Sequence, residues 1–475
     1  MAVEITKIMI KNFKNLKDVS IKPRKFNVLI GPNGSGKTNF LEFFKLLRNI
    51  YVERNPYPFL EWDGYENVVW NHQRSLPIEF EIETVERTSL TEFLKKYSLL
   101  FGDAKIEKDI SFDIFRRISA SFLADRAENL KILKESIEIE IPKLNYRFAI
   151  ERHGDTWKVQ LNEKVYELSN NDISIKSLHF EIVEIIEGGL RLFLNFDDYI
   201  MDSIGDLLIA DILKILPKKA VDEFEKEFEN YLSKAGVQPK ELYIRFNKIK
   251  ETIQVKISKE LSDRLQLTIY LPLLALFKTI VLLPLNLNEI KYKRKLIPRD
   301  EPLNERGENA LDILALTQLK ENRLPERIEY ALENYFNGRG YFKNMNFYLY
   351  DLNSRTEFSK EHLPDGLIKL LVILTALEQN PSILLIDEIE NSLHPELLEF
   401  IVSTLKEDCE GCVFVATHSP IVLNLVEPEE IFIFKPTDDG VEIKNLTEYK
   451  SKEELMKELE ELGITLGEKV LYGLT

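Results

Sequence analysis

The sequence predicts an α/β protein with a mixed sheet core, a β-rich N-terminal lobe and an inserted helical arm. Near the beginning, a glycine-rich loop stands between an apolar strand and a helix. Over the last third, apolar strands alternate with helices, which is typical of an α/β architecture. The chain has 475 residues, too many for one simple core, so we expect two or three lobes.

Charge and hydropathy limit the location of the chain and its partners. A formal net charge of −16 repels polyanions, so any contact with nucleic acid requires a local basic patch. The N-terminal residues alternate apolar and polar side chains and lack the apolar core of a signal peptide. The most apolar run, Leu265–Leu287, is interrupted by Pro272 and Lys278 and predicts a buried helix leading into a core strand. We therefore expect a cytoplasmic protein that does not contact membranes.

The pattern along the chain predicts three segments. Residues 1–176 form a lobe with the glycine-rich loop and a β-meander, 177–278 form a helical arm, and 279–475 form a second lobe. No heptad run in the arm is long enough for an extended coiled coil. The two cysteines, Cys409 and Cys412, lack a second pair of ligands, which favours a structural turn over a metal or redox site.

Hydrophobic periodicity predicts the individual elements of both lobes. In the first lobe we expect strands at Glu4–Ile10, Val19–Pro23, Phe26–Ile30, Pro77–Thr84 and within Ser136–Leu168, and helices from Lys37, at Leu90–Phe101 and at Phe112–Leu133. In the second lobe we expect helices at Asn309–Lys320, Pro325–Phe336, Gly366–Asn380 and Pro395–Asp408, and strands at Phe342–Thr356, Ser382–Ile386 and Cys412–Ala416.

The glycine-rich loop matches the pattern G-x-x-x-x-G-K-[ST] and has the strand–loop–helix context that this pattern requires. Glycines let successive amides point inward, and the helix N-terminus adds a positive dipole end. Lys37 is suited to neutralise β- and γ-phosphate charge, and the Thr38 hydroxyl is suited to reach Mg²⁺. The predicted nucleotide-binding residues of this loop are Gly31, Pro32, Asn33, Gly34, Ser35, Gly36, Lys37, Thr38 and Asn39.

Two later strands end in residues that complete such a site. The apolar strand before Asp387 and Glu388 delivers the first carboxylate to a magnesium ion and the second to the attacking water. A second apolar strand ends near His418, whose imidazole is placed to donate to the γ-phosphate. The order of lysine loop, acidic strand and histidine strand favours this functional interpretation over three unrelated strand ends.

At these residues the chain resembles the AAA-family ATPases of ABC-head type, which include SMC-like and RecF-like repair ATPases and the overcoming-lysogenisation-defect (OLD) family. The resemblance covers the first 84 residues and the chain from about Ile280 onward, and it implies a P-loop NTPase fold. It implies that Asp387 is the Walker B aspartate, Glu388 the catalytic glutamate and His418 the switch histidine. It also implies that residues 390–395 form the D-loop.

The resemblance extends less closely to three other positions. The family carries a signature motif where Leu363–Leu367 lies, but Pro364 replaces its usual serine. Asp365 and Gly366 are the implied γ-phosphate contacts to a second protomer, and an ordinary helix N-cap is the alternative for Asp365. Gln73 stands near the expected metal-binding Q-loop position. In the first hairpin, Asn12, Phe13 and Lys14 match a turn that packs near the base and ribose, with a solvated hairpin tip as the alternative.

The resemblance implies an Mg²⁺-dependent ATPase that forms a homodimer with ATP at the interface. Dimerisation and conformational change would act on DNA or on an effector protein, in DNA repair or anti-phage defence. An ATP-switched scaffold with slow or no hydrolysis is the alternative, and a transporter motor is disfavoured by the long separation of Lys37 from Asp387. Only residues 421–475 follow the histidine strand, which is too few for a nuclease domain. The best local basic patch for a DNA contact comprises Lys291, Lys293, Arg294, Lys295 and Arg299.

Overall fold

The structure is a computed structural model that describes residues 3–89, 111–144, 146–154, 156–161, 164–169, 279–293 and 295–471. The chain divides into two compact units, the first comprising Met1–Thr6 with Pro77–Ala275 and the second Lys7–Leu76 with Leu276–Thr475. The glycine-rich loop thus shares a unit with the C-terminal third, whereas the sequence-based division groups it with the β-meander. The predicted helix at Leu90–Phe101 and the predicted arm at 177–278 lie outside the described residues.

The chain opens with a hairpin that precedes the glycine-rich loop. Strands β1 (Glu4–Phe13) and β2 (Leu16–Ile21) are antiparallel and leave a turn of two residues, so β1 runs three residues further than predicted. Strand β3 (Phe26–Ile30) is buried along its whole length, and helix α1 (Lys37–Tyr51) follows the loop, which confirms the predicted strand–loop–helix order.

The first unit contains an antiparallel meander in which each strand pairs with the next. Its strands are β4 (Ile78–Ser89), β5 (Ser111–Ala124), β6 (Leu130–Ile141), β7 (Tyr146–His153), β8 (Thr156–Leu161) and β9 (Lys164–Ser169). Alternate residues of β5 are buried, as expected for strands that bury one face.

The predicted helix at Phe112–Leu133 is wrong, because this stretch forms β5 and the beginning of β6. Arg116 stands on the buried face of β5 in ion-pair contact with Glu86, 2.5 Å away. A charged residue at an inward position interrupts the apolar alternation that identifies a strand. The hydrophobic periodicity of this stretch is therefore ambiguous between helix and strand, and the burial of a paired charge explains why the helix prediction is wrong.

The second unit continues from residue 276 with alternating elements. They are β10 (Thr279–Leu282), α2 (Leu287–Tyr292), α3 (Ala310–Glu321), α4 (Glu326–Phe336), β11 (Gly338–Lys343), β12 (Asn346–Asp351), β13 (Glu357–Ser359), α5 (Asp365–Glu378), β14 (Ile383–Ile386), α6 (Pro395–Asp408), β15 (Cys412–Ala416), α7 (Pro420–Asn424), β16 (Ile431–Thr437), β17 (Gly440–Asn445), α8 (Leu446–Tyr449), α9 (Lys452–Leu462) and α10 (Leu466–Leu471). The helix at Pro395–Asp408 and the strand at Cys412–Ala416 are confirmed with their predicted bounds.

A six-stranded sheet with the order β10-β14-β15-β3-β16-β17 forms the core of this unit. The first five strands are parallel and β17 is antiparallel to β16, so the sheet is mixed, as predicted. Because β14, β15 and β3 are adjacent and parallel, their C-terminal ends meet at one edge of the sheet. The glycine-rich loop, Asp387 and His418 follow these three ends.

Two further predictions concern the cysteines and the apolar run. Cys409 and Cys412 are both buried free thiols, and the described residues contain no group of three or more His, Cys, Asp or Glu that would hold a metal. The end of Leu265–Leu287 includes the fully buried strand β10, whereas its part before residue 279 is outside the described residues. No helix among the residues that the structure describes is long and apolar enough to cross a membrane.

Candidate functional site

The glycine-rich loop is shaped by left-handed glycines and braced by the β1–β2 hairpin. Gly34 and Gly36 have φ of 78° and 104°, conformations that other residues adopt only with strain. A Cβ on Gly36 would lie 2.7 Å from the side chain of Asn15, in the hairpin turn. The Asn39 amide donates a 2.8 Å hydrogen bond to the same Asn15 side chain. The hairpin tip therefore packs directly against the loop, a contact that the sequence did not indicate.

Lys37 begins helix α1 and lies along the loop. Its Nζ donates hydrogen bonds to the carbonyls of Gly31, at 2.7 Å, and Pro32, at 3.2 Å. Burial lowers the pKa of Lys37, and the nearby carboxylates, led by Asp387, oppose that shift. The ammonium group is thus held at the loop by backbone oxygens, where it is suited to bind an anion.

Thr38 and Asp387 meet although 349 positions separate them in the chain. The Thr38 hydroxyl donates a 2.9 Å hydrogen bond to Oδ2 of Asp387, which follows β14. Burial raises the pKa of Asp387, and the charge of Glu388 adds to this effect, while Thr38 and Lys37 oppose it. A hydroxyl and a carboxylate side by side are hard oxygen ligands of the kind that Mg²⁺ prefers.

Glu388 follows with an unusual backbone conformation. Its φ is 48°, in the left-handed region, and such strain in a non-glycine residue is typical of functional sites. Its side chain is exposed, and Oε2 accepts a hydrogen bond from the Asn391 amide. The carbonyl oxygen of Glu388 accepts a 2.7 Å hydrogen bond from Nζ of Lys369 in α5. The conformation of Glu388 is therefore supported from two sides.

Lys369 was missed by the sequence analysis. It is 5% exposed, and burial lowers its pKa to about 8 against the opposing charges of Glu390, Glu388 and Asp387. Its side chain lines a cavity of about 160 Å³ together with Asp387, Glu388 and apolar residues of the sheet and α5. The available signal was a single lysine inside an otherwise apolar helix, since 11 residues of α5 are buried.

His418 lies at the end of the neighbouring strand β15. The residue is exposed, whereas Thr417 before it is 1% exposed. The backbone amide of His418 donates to Oε1 of Glu390, and the Thr417 hydroxyl donates to Oε2, both at 2.7 Å. The backbone that carries the imidazole is thus tied to the segment after Glu388.

A cavity of about 230 Å³ lies where these strand ends meet. It brings together the loop, the acidic strand and the histidine strand, as the sequence predicts for one site. Its lining residues are Asn33, Gly34, Ser35, Gly36, Lys37, Thr38, Asn39, Asp387, Glu388, Ala416, Thr417 and His418.

The residues of this cavity suit a nucleoside triphosphate with a magnesium ion. The Ser35 hydroxyl is buried in the loop and has no hydrogen-bond partner within the described part of the chain. Successive loop amides and the start of α1 supply further donors for phosphate oxygens. Thr38 and Asp387 are the residues that would hold the metal.

The other predicted nucleotide contacts do not line this cavity. Phe13 is fully buried, with its ring centroid 5.4 Å from that of Phe43, so it is part of the core. Lys14 forms an ion pair with Glu42. Asn12 is half-buried with a φ of 59°, and Gln73 is exposed beyond a short turn. Their assignment to base, ribose or metal stays a prediction.

The signature-like residues Asp365 and Gly366 begin helix α5. Asp365 forms an ion pair with Lys291, and its side chain is 55% exposed. A Cβ on Gly366 would lie 2.7 Å from the carbonyl oxygen of Ser392, so only glycine lets the helix approach the predicted D-loop so closely. Neither residue lines the cavity of the loop, and a contact to a second protomer stays a prediction.

Three of the five residues of the basic patch lie beside acidic side chains. Lys291 pairs with Asp365, Lys293 pairs with Asp312, and Arg299 lies 4.0 Å from Glu301, whereas Arg294 is outside the described residues. Lys295 is exposed. The three paired residues therefore contribute less net positive charge than the sequence suggests.

Similar proteins include curated relatives and solved structures. The DNA replication and repair protein RecF of Halothermothrix orenii is 22% identical over 52% of this chain and 74% of its own length. The protein of the same name from Clostridium acetobutylicum is 29% identical over 36% of this chain and 48% of its own length. An SMC head bound to the C-terminal winged-helix domain of ScpA has a TM-score of 0.39 at 12% identity, covering 94% of this chain and 99% of its own. The SMC head domain from Thermotoga maritima has a TM-score of 0.34 at 13% identity, and the match covers 93% of this chain and 98% of that domain.

The family match spans the site itself. Residues 26–97 and 160–424, well over half of the chain, match the family described as "AAA domain, putative AbiEii toxin, Type IV TA system". Both matched segments contain cavity residues, since the first includes Lys37 and the second includes Asp387 and His418. The chain belongs to this AAA-domain family, and its glycine-rich loop between the buried strand β3 and helix α1 has the arrangement of a P-loop fold.

Proposed function

We propose that the chain binds and hydrolyses ATP with Mg²⁺, and that nucleotide-driven dimerisation and conformational change act on DNA or on a partner protein. The cavity that joins the loop, Asp387, Glu388 and His418 is the observation that carries this proposal. Family membership supports it, because the family is defined as an AAA domain. DNA repair and anti-phage defence are the two settings that we consider.

Each side chain of the cavity has a role in this proposal. Lys37 and the loop amides bind the β- and γ-phosphates, and Thr38 and Asp387 hold the metal. When bound, Mg²⁺ neutralises charge on the phosphate oxygens. Glu388 orients the attacking water and accepts its proton, and His418 donates a hydrogen bond to the γ-phosphate.

Replacing Glu388 separates nucleotide binding from hydrolysis. We expect Glu388→Gln to lower the rate of phosphate release by roughly 100-fold or more, because the amide does not accept the proton. ATP binding persists, so light scattering of the variant with ATP should give twice the mass of the ATP-free chain. Asp408→Asn, on the exposed end of α6, is the control and should retain the wild-type rate. An unchanged rate in Glu388→Gln would refute its assignment as the base.

The alternative function is an ATP-switched scaffold that recruits a separate effector with slow or no hydrolysis. Pro364 at the start of α5 favours it, because this residue supplies no hydroxyl for the γ-phosphate of a second protomer. ATP binding and dimerisation without measurable phosphate release in the wild type would support the scaffold over the ATPase.

A DNA contact is a further part of the proposal. It is supported by the two relatives named as DNA replication and repair proteins. The acidic partners of Lys291 and Lys293 predict that this contact is weak at the basic patch. We expect the double variant Lys295→Ala/Arg299→Ala to bind DNA more weakly in a filter-binding assay. The salt dependence of its affinity should correspond to the release of at most about two fewer counterions than in the wild type. If the wild-type protein did not bind DNA at low salt, DNA would be excluded as its target.

A further inference from the structure

Glu390 joins the ends of two neighbouring strands through its carboxylate. Oε2 accepts a hydrogen bond from the Thr417 hydroxyl and Oε1 accepts one from the His418 amide, each at 2.7 Å. The strand ends β14 and β15 are also linked by the Ile389 amide, which donates to the Ala416 carbonyl at 3.3 Å. Bonds to an ionised carboxylate are roughly twice as strong as neutral ones, so Glu390 provides the strongest contacts of this linkage.

The turn that carries His418 depends on the same carboxylate. The Thr417 hydroxyl donates to Glu390 and also accepts a 3.0 Å hydrogen bond from the Ser419 amide. Glu390 therefore orders three consecutive residues of the turn, one of them through the Thr417 hydroxyl. Thr417 is buried, whereas His418 is exposed and lines the cavity at the glycine-rich loop. This backbone sets the position from which the imidazole extends, and the ring itself makes no hydrogen bond within the described residues.

We propose that Glu390 is a positioning residue that holds His418 in place over the nucleotide site. This inference rests on the proposed function, in which His418 contacts the γ-phosphate. Glu390 does not line the cavity itself, so it acts through the turn and not on the substrate. Glu388 and Glu390, two residues apart, thus have separate roles: the first orients the attacking water of the proposed reaction, and the second holds the turn that carries His418.

Kinetics test whether Glu390 acts through His418. We expect Glu390→Ala to lower kcat by roughly 10- to 100-fold, with the KM for ATP changed less than about threefold. Glu390→Gln keeps the size of the side chain and one acceptor oxygen, so its loss of kcat should be smaller than that of Glu390→Ala and less than about tenfold. In the His418→Ala background, Glu390→Ala should lower kcat no further, because a residue that acts through His418 has no effect once the ring is removed. Glu399→Ala, an exposed glutamate of α6, should behave as wild type.

Amide hydrogen exchange without nucleotide provides a readout that is independent of turnover. The His418 amide should exchange at least about tenfold faster in Glu390→Ala than in the wild type, because it loses its acceptor. Glu399→Ala should leave this exchange unchanged. Asp387 and the loop should keep their wild-type exchange in both variants, which distinguishes a local release of the turn from unfolding of the unit.

Two results would overturn the inference. One is unchanged exchange of the His418 amide in both Glu390→Ala and Glu390→Gln. The other is a multiplicative loss of kcat in the double variant, since Glu390 would then act independently of His418. A wild-type protein without phosphate release would overturn the proposed function instead, and exchange would still decide whether Glu390 holds the His418 turn.

Discussion

Lys369 is the residue whose environment differs most from what its sequence position indicates. Its ammonium group is buried in the apolar helix α5 and donates to the carbonyl oxygen of Glu388 at 2.7 Å. The carboxylates of Glu390, Glu388 and Asp387 favour its charge, but burial outweighs them and brings its pKa to about 8. This lysine supports the strained backbone of Glu388, and it does so at a cost to stability.

The lowered pKa of Lys369 predicts a pH dependence of stability. In the unfolded chain the lysine has a pKa near 10.5, so between pH 8 and 10.5 the unfolded state binds more protons than the folded state. The free energy of unfolding therefore rises with pH in this window, and the destabilisation is fully present below pH 8. The difference in the free energy of unfolding between wild type and Lys369→Met should change by on the order of 3 kcal/mol between pH 8 and 10.5.

Urea unfolding at pH 8, 9 and 10 measures this difference. Lys457→Met, at a lysine whose side chain is 77% exposed on α9, is the matched control and should follow the wild-type pH dependence. Parallel curves for wild type and Lys369→Met would mean that the buried lysine titrates normally.

At the scale of elements, β5 illustrates how buried charge determines both structure and predictability. The side chains of Arg116 and Glu86 are 3% and 1% exposed, and each compensates the charge of the other. A strand can contain buried charges that form an ion pair, but these charges interrupt the alternation of apolar and polar residues by which a strand is predicted. Strands that bury only apolar residues, such as β14 and β15, are predicted at or near their observed bounds.

Removing one partner of the buried pair should destabilise the first unit strongly. Arg116→Met leaves the Glu86 carboxylate buried without this partner, and we expect a loss of about 3–5 kcal/mol in the free energy of unfolding. The neighbouring Arg117, with a side chain that is 50% exposed, is the control, and Arg117→Met should cost at most about 1 kcal/mol. Urea midpoints measure both, and equal losses would show that the buried pair has no special role. Combining Arg116→Met with Glu86→Leu should recover much of the loss.

At the scale of the whole molecule, the parallel sheet explains what the sequence was able to predict. Strand–loop–helix order and apolar strands ending in carboxylates are local patterns, and the adjacency of β14, β15 and β3 places them at one edge. Contacts that depend on packing were not predictable in the same way. Asn15 against Gly36, Lys369 beneath Glu388 and Phe13 in the core arise from residues that no local pattern distinguishes.

Local sequence patterns also do not predict how the chain divides into units. Residues 7–76 share a unit with 276–475 because β3 lies between β15 and β16 in the six-stranded sheet. A strand inserted between two strands from the other end of the chain has no signal in its own sequence. The consequence that we propose for this insertion is that Lys37 and Asp387 bind one Mg²⁺–nucleotide together.

Equilibrium binding of ATP, measured with and without Mg²⁺, decides whether Lys37 and Asp387 share one nucleotide. In the wild type, Mg²⁺ should tighten ATP binding, because Thr38 and Asp387 hold the metal beside the phosphates. Asp387→Asn should bind ATP with an affinity that Mg²⁺ no longer improves, and Lys37→Ala should lose most of its affinity with or without the metal. Equal ATP affinity and equal Mg²⁺ dependence in all three proteins would contradict the claim that these two residues share one nucleotide.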